Sequence, residues 1–237
     1  MRQHIMCKDS QQLPYEAICF DMDGVIVDTR FAVTSFWQRL AAEYALTLTL
    51  DDFDHHIYGC SANHTLETLF PLLSKREQEE VYIKLEQYEQ NSMYREIPGA
   101  IALLRQLHAA HLPLALVTSA HRWKVGRVLQ QLGLEQIFAA QITVQDIVRG
   151  KPDPACYIQA AQALGKHPSC CVAFEDAKSG VLAARAAGME CCGVREPSLA
   201  QVLLDAGASI VIPDLTAVVV TFPAQARRRK LPGWICI

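Results

Sequence analysis

Two carboxylates two residues apart, Asp21 and Asp23, directly follow a short apolar run at residues 17–20. Burying unpaired charge is expensive, so acids at the end of a buried run need a neutralising partner, and a divalent cation is the simplest one. Gly24, next in the chain, permits a sharp turn and leaves space open above the pair. A second acidic pair, Glu175 and Asp176, follows the apolar run at residues 170–174. An oxygen-rich set without His or Cys beside it suits Mg²⁺ better than zinc. Thr118 and Ser119 end a third apolar run, residues 112–117. Hydroxyls there can donate to phosphate oxygens, although Ser and Thr are also ordinary turn residues. Lys151 lies in Gly150-Lys151-Pro152-Asp153-Pro154, where prolines restrict the backbone around it. It is either a fixed positive charge or a surface lysine in a tight turn. Lys178 reads as a surface residue at the start of a helix.

The four segments share a position. Each stands at the C-terminal end of a predicted strand or just after one, the edge at which open parallel sheets bind ligands. Residues 17–20, 112–117 and 170–174 are the clearest strands; residues 140–144, 189–194 and 209–212 are weaker ones. Helical patterns separate them. Residues 99–110 place Ile101, Leu104 and Leu107 on one face, and residues 123–132 form the next helix. A further helix opens at Asp153-Pro154, with Asp153 as cap and Pro154 in the first turn. Residues 180–187 run helically to a stop at Gly188. This alternation predicts an α/β fold with a Rossmann-like parallel sheet core and helices on both faces.

Residues 31 to about 94 break the alternation. Residues 31–44 space Phe36, Trp37, Leu40 and Tyr44 helically, Ser61 caps a helix that ends before Pro71, and Ser74 with Glu77 forms a capping box. The segment reads as an inserted all-helical cap domain over residues 31–95, with a discontinuous core of residues 1–30 and 96–237. A formal net charge of -3 argues against a nucleic-acid partner. No stretch reaches the length of a membrane span, and the polar N-terminus lacks a signal-peptide run. Nine cysteines, an odd number without Cys-x-x-Cys, read as reduced thiols of a cytoplasmic protein. The basic run at residues 227–230 reads as a solvated tail. A monomer is expected.

In this order and spacing the four segments resemble the haloacid-dehalogenase-like phosphohydrolases, in particular the β-phosphoglucomutase-like branch with a helical cap after the first strand. The resemblance spans roughly residues 15–215. It implies that Asp21 is a nucleophile forming an aspartyl phosphate, and that Asp23 is the acid and base of the two half-reactions. It implies further that Thr118, Ser119 and Lys151 hold phosphoryl oxygens, and that Asp21, the Asp23 main-chain carbonyl, Glu175 and Asp176 hold Mg²⁺. Crowding of these acids raises the pKa of one of them. An acid at Asp23 excludes the dehalogenases and phosphonatases of the family, which have no ester oxygen to protonate there. In the cap loop, Tyr58 and Ala62 stand where the mutases have basic residues, and Val33 replaces a histidine. The expected substrate is therefore a small phosphorylated metabolite, a sugar or polyol phosphate. A sugar phosphomutase and a non-catalytic metabolite-binding protein are the alternatives. Tyr58, Gly59, Ser61, Thr65, His121 and Arg122 are candidates for specificity contacts, and His55, His56 and His64 read as exposed helix-end histidines.

Overall fold

A computed structural model describes residues 15–221 and 234–236. The basic run at 227–230 lies outside the described residues. Six strands form the central sheet: β1 (Ala17–Phe20), β2 (Leu114–Val117), β3 (Ala140–Ile142), β4 (Cys171–Glu175), β5 (Glu190–Val194) and β6 (Ile210–Ile212). All neighbours are parallel, in the order β3-β2-β1-β4-β5-β6. This is the strand order of a doubly wound sheet, with the order reversing at β1.

Period-two alternation divides each central strand between two cores. Ile18 and Phe20 of β1 join Leu114, Leu116, Val172 and Phe174 on one face. There they pack under α4 (Ala100–Ala109) and α5 (Arg122–Leu132). Ala17 and Cys19 join Ala115, Val117, Cys171 and Ala173 on the other. Those smaller side chains admit α6 (Ala155–Ala163) and α7 (Lys178–Ala186). Asp153 Oδ1 accepts the Ala155 N–H at 3.0 Å, as expected of a residue opening α6. Helix α7 begins two residues earlier than the apolar pattern suggests, and Gly188 ends it with a φ of 87°.

The helices of the insert are α1 (Arg30–Glu43), α2 (Ala62–Leu69) and α3 (Lys75–Gln90). They enclose a separate core of Phe36, Trp37, Leu40, Phe53, Ile57, Leu66, Phe70 and Val81. Ser61 Oγ accepts the His64 N–H, and the Ser74–Glu77 capping box forms. Sequence patterning did not anticipate the short helical turn Leu50–Asp52, which is closed by a Thr49–Asp52 capping box and runs into a π turn, Phe53–Ile57. Nor did it anticipate the two-residue antiparallel ribbon through which the chain leaves and re-enters the core, Val27↔Glu96 and Asp28↔Arg95. Elements this short carry no readable period. Among the described residues, no helix is long and apolar enough to cross a membrane.

Leu104, on α4, is fully buried in the core on that face of the sheet. Leu104→Ala should lower the unfolding free energy by about 2–5 kcal/mol. Urea titration of the two proteins measures it; a loss under about 1 kcal/mol would contradict this packing.

Candidate active site

The parallel register places Phe20 opposite Phe174, and their rings stack with centroids 4.9 Å apart. The residues that follow are therefore neighbours: Asp21 N donates to Phe174 O at 3.0 Å, and Glu175 ends β4. Oxygens of Asp21, Glu175 and Asp176 all lie within 4.8 Å of one another, and all three side chains are buried.

Lys151 answers this charge. Its Nζ donates to Asp21 Oδ1 (2.7 Å), Glu175 Oε1 (2.6 Å) and the Val117 carbonyl (3.0 Å). These contacts engage all three of its donors, and the side chain is 1% exposed, so Lys151 is not a surface lysine. Burial works against its charge, but Asp21 and Glu175 outweigh that and raise its pKa. Burial also pushes the Asp21 carboxyl well above the usual range, opposed by Lys151 and assisted by Glu175. Asp176 is pushed up to about 6 by burial, with Arg30 opposing and Glu175 adding to the rise. Asp21 and Asp176 are thus carboxyls in which the crowding expected from the sequence is felt.

The donor set fits a hard divalent cation. It is all oxygen, and Glu175 Oε2 is buried without a hydrogen-bond partner although Tyr157 Oη donates to Oε1. Space around it is kept by glycines. A Cβ on Gly180 would stand 2.0 Å from the Glu175 carboxyl carbon, and one on Gly24 would stand 2.2 Å from Asp176 Oδ2.

A cavity of about 460 Å³ opens above the acids. Asp21, Asp23, Thr118, Ser119 and Asp176 form its floor, while Trp37, Tyr58 and Trp123 are among its walls. Lys151 and Glu175 stand behind the floor and do not line it. Thr118 Oγ1 accepts the Ala120 N–H at 3.1 Å, and Ser119 Oγ donates to the Gly59 carbonyl of the insert at 2.8 Å. Gly59, at a φ of 71°, comes so close that a Cβ there would meet Ala177 Cβ at 2.6 Å.

Several candidates named from the sequence have other partners. Tyr58 Oη pairs with Thr34 Oγ1 at 2.8 Å, Ser61 Oγ caps α2, and Thr65 Oγ1 donates to the His56 carbonyl at 2.6 Å. Arg122 turns away from the cavity to Asp146, whereas the exposed His121 remains on its wall. The three insert histidines are half-buried rather than exposed. His56 Nδ1 faces His64 Nε2 at 3.3 Å, and His55 Nε2 meets Lys178, which is itself half-buried and not a surface residue.

A second layer of charge escaped sequence reading. Arg30 lies 3.2 Å from Asp176 Oδ2 and stacks over the Tyr58 ring at 4.0 Å. Lys124 donates to Glu89 Oε1 of α3 at 2.6 Å and lies 2.9 Å from Asp23 Oδ1, an ion pair without hydrogen-bond alignment. Burial disfavours the Lys124 charge, yet Asp23 and Glu89 together raise its pKa. Arg195, buried after β5, pairs with Asp54 of the insert at 2.9 Å. The local signal was slight: Arg30 and Lys124 each stand in the first turn of a helix that follows an acidic or hydroxyl segment.

Comparison with known proteins agrees with this geometry. The family model of haloacid dehalogenase-like hydrolases matches residues 15–188. Validoxylamine A 7'-phosphate phosphatase of Streptomyces hygroscopicus subsp. limoneus is 31% identical over 210 residues, covering 86% of this chain and 96% of the relative. A phosphorylated carbohydrates phosphatase of Thermotoga maritima is 32% identical over 206 residues, covering 84% and 95%. A HAD family hydrolase of Deinococcus radiodurans, solved with bound phosphate and sodium, superposes with a TM-score of 0.64 at 28% identity over 86% of this chain and 93% of that one. On the matched length, the relatives and the sheet with its acidic edge, this chain belongs to the haloacid dehalogenase-like hydrolases.

Proposed function

We propose that this chain is a Mg²⁺-dependent phosphatase of a small phosphorylated metabolite, a sugar or polyol phosphate, acting through an aspartyl phosphate on Asp21. The observation that carries this reading is the buried Asp21 carboxylate on the cavity floor beside Asp23, with Lys151 behind it. The names of the relatives support the substrate class. In this reading residues 31–95 are the cap, residues 1–30 and 96–237 are the core, and the chain works as a cytoplasmic monomer.

Asp21, the Asp23 main-chain carbonyl, Glu175 and Asp176 would hold Mg²⁺, which supplies positive charge against the transferring phosphoryl group. Asp21 attacks phosphorus as the ester P–O bond breaks, and the electron pair of that bond goes to the leaving oxygen. Asp23 gives this oxygen its proton, then takes a proton from the water that hydrolyses the aspartyl phosphate. Thr118 and the Ser119 backbone hold phosphoryl oxygens. Lys151 keeps Asp21 oriented, and its positive charge offsets part of the charge that the phosphate brings. The docked cap excludes water from the reacting atoms. Among the described residues lining the cavity, the two Lys/Arg side chains, Arg30 and Lys124, are both ion-paired. A second phosphate, which a sugar phosphomutase has to hold, therefore meets no free lysine or arginine there.

Phosphate release from a panel of sugar and polyol phosphates, with and without Mg²⁺, tests the reading. Asp21→Asn keeps the shape of the side chain and removes its negative charge, so turnover should fall on the order of 10³-fold or more. If no ester releases phosphate, or if Asp21→Asn retains the activity, the reading fails.

Metal binding should also appear in stability. Burial raises Asp21 and Asp176, the latter from 3.8 to about 6, so the folded chain holds more protons than the unfolded one across that window. The metal-free protein accordingly loses stability as pH climbs from about 4 through 6, and Mg²⁺ relieves the repulsion among the ionised acids. At 100 times its Kd, Mg²⁺ should stabilise the fold by about 2.7 kcal/mol at pH 7.5. At the same concentration the gain should shrink at pH 5, where protons compete for the same oxygens. Thermal melts of chelator-treated protein at both pH values measure this, and equal shifts would argue against metal at these acids.

A further inference from the structure

Lys124 joins three parts of the chain that the sequence keeps far apart. It stands in the first turn of α5, its Nζ is 2.9 Å from Asp23 Oδ1 after β1, and it donates to Glu89 Oε1 of α3 at 2.6 Å. The Lys124 side chain is 6% exposed and Glu89 18%. Asp23 Oδ1 is buried, whereas the Asp23 side chain as a whole is 27% exposed and lines the cavity. The accessible part of that carboxyl group thus excludes the oxygen that faces Lys124. An ammonium serving only to neutralise Asp23 would not need an acid from the insert. A bridge to both makes the orientation of Asp23 depend on where α3 sits.

We propose that Lys124 is a positioning residue for the proton transfer: it holds Asp23 by Oδ1, leaves the other carboxyl oxygen facing the leaving group, and is itself held in place by Glu89 of the docked insert. The inference rests on the reading of Asp23 as the group that protonates the leaving oxygen. Tyr94 shields the bridge, its ring centroid 6.0 Å from Nζ. Other polar links between insert and core, Ser119 to Gly59, Ser179 to Tyr58, Lys178 to His55, Gln131 to Tyr94 and Arg195 to Asp54, involve neither Asp21 nor Asp23. Lys124 is the ion-pair bridge that ties the insert to Asp23.

The dependence of rate on leaving group separates this role from a merely structural one. A sugar alkoxide is a poor leaving group and needs the proton, whereas 4-nitrophenolate leaves without one. Asp23 also serves the hydrolysis of the aspartyl phosphate, a step both esters share, so the readout is kcat/KM, which reports the steps through departure of the leaving group. Lys124→Gln should lower it about tenfold to a hundredfold on a sugar phosphate, a part of the ~10²–10⁴-fold that a positioned acid supplies. It should lower kcat/KM on 4-nitrophenyl phosphate less than threefold, and Lys124→Arg should recover part of the loss on the sugar phosphate. Glu89→Gln leaves the lysine in place and guards against a Lys124 variant that fails to fold. It should produce the same substrate-dependent loss at smaller size, about threefold. Equal losses on the two esters, or no loss on the sugar phosphate, overturn the inference. Asp21→Asn must abolish turnover of both esters; if it does not, the aspartyl-phosphate reading fails, and the inference with it.

Discussion

Concentrated negative charge is the constraint on which the rest of this structure depends. Asp21, Glu175 and Asp176 bring their oxygens within 4.8 Å of one another in a buried place, where water cannot screen them. The surroundings respond at each acid in turn. Lys151 spans Asp21 and Glu175, Arg30 meets Asp176, Tyr157 donates to Glu175, and Lys124 faces Asp23. Even with these partners, burial leaves Asp21 and Asp176 raised. Asp21, Glu175 and Asp176 carry three charges when ionised against the two of Lys151 and Arg30, which leaves the balance that the proposed Mg²⁺ would meet.

The sheet makes the cluster possible. In an antiparallel pair the ends of neighbouring strands point in opposite directions, and two acidic strand ends could not meet. Parallel pairing of β1 with β4, held by the stacked Phe20 and Phe174 rings, places both acidic pairs at one edge. Parallel pairing of β1 with β2 brings Thr118 there as well. Small residues do the complementary work. Ala17, Cys19, Ala115 and Ala173 let α6 and α7 approach one face closely, while Gly24 and Gly180 leave room for carboxylates that any larger residue would displace.

Polar contacts between insert and core include Ser119 with Gly59, Ser179 with Tyr58, Lys178 with His55, Gln131 with Tyr94, Lys124 with Glu89 and Arg195 with Asp54. The apolar core of the insert is a cluster of its own, separate from the two cores that flank the sheet. On the proposed reading of the insert as a cap, these polar links seat it over the acids.

The local features were legible in the sequence. Acidic pairs two residues apart or adjacent, apolar runs of strand length, capping boxes and glycine stops are written within a few residues of one another, and physical chemistry reads them directly. The parallel sheet with its helical insert, and the acidic edge, followed from those. The long-range partnerships were not legible. Lys151 meets Asp21 across 130 residues and Arg30 meets Asp176 across 146, and neither lysine nor arginine announces its partner in its own neighbourhood. The cap role of Ser61 was legible, but the partners of Tyr58 and Thr65 were not: Thr34 lies 24 residues from Tyr58, and the His56 carbonyl that Thr65 meets belongs to a π turn without a readable period. The order of residues along the chain determined which groups could do chemistry. Packing of the sheet, the helices and the insert decided which charges those groups meet, because electrostatic energy depends on distance through space, and distance along the chain does not report it.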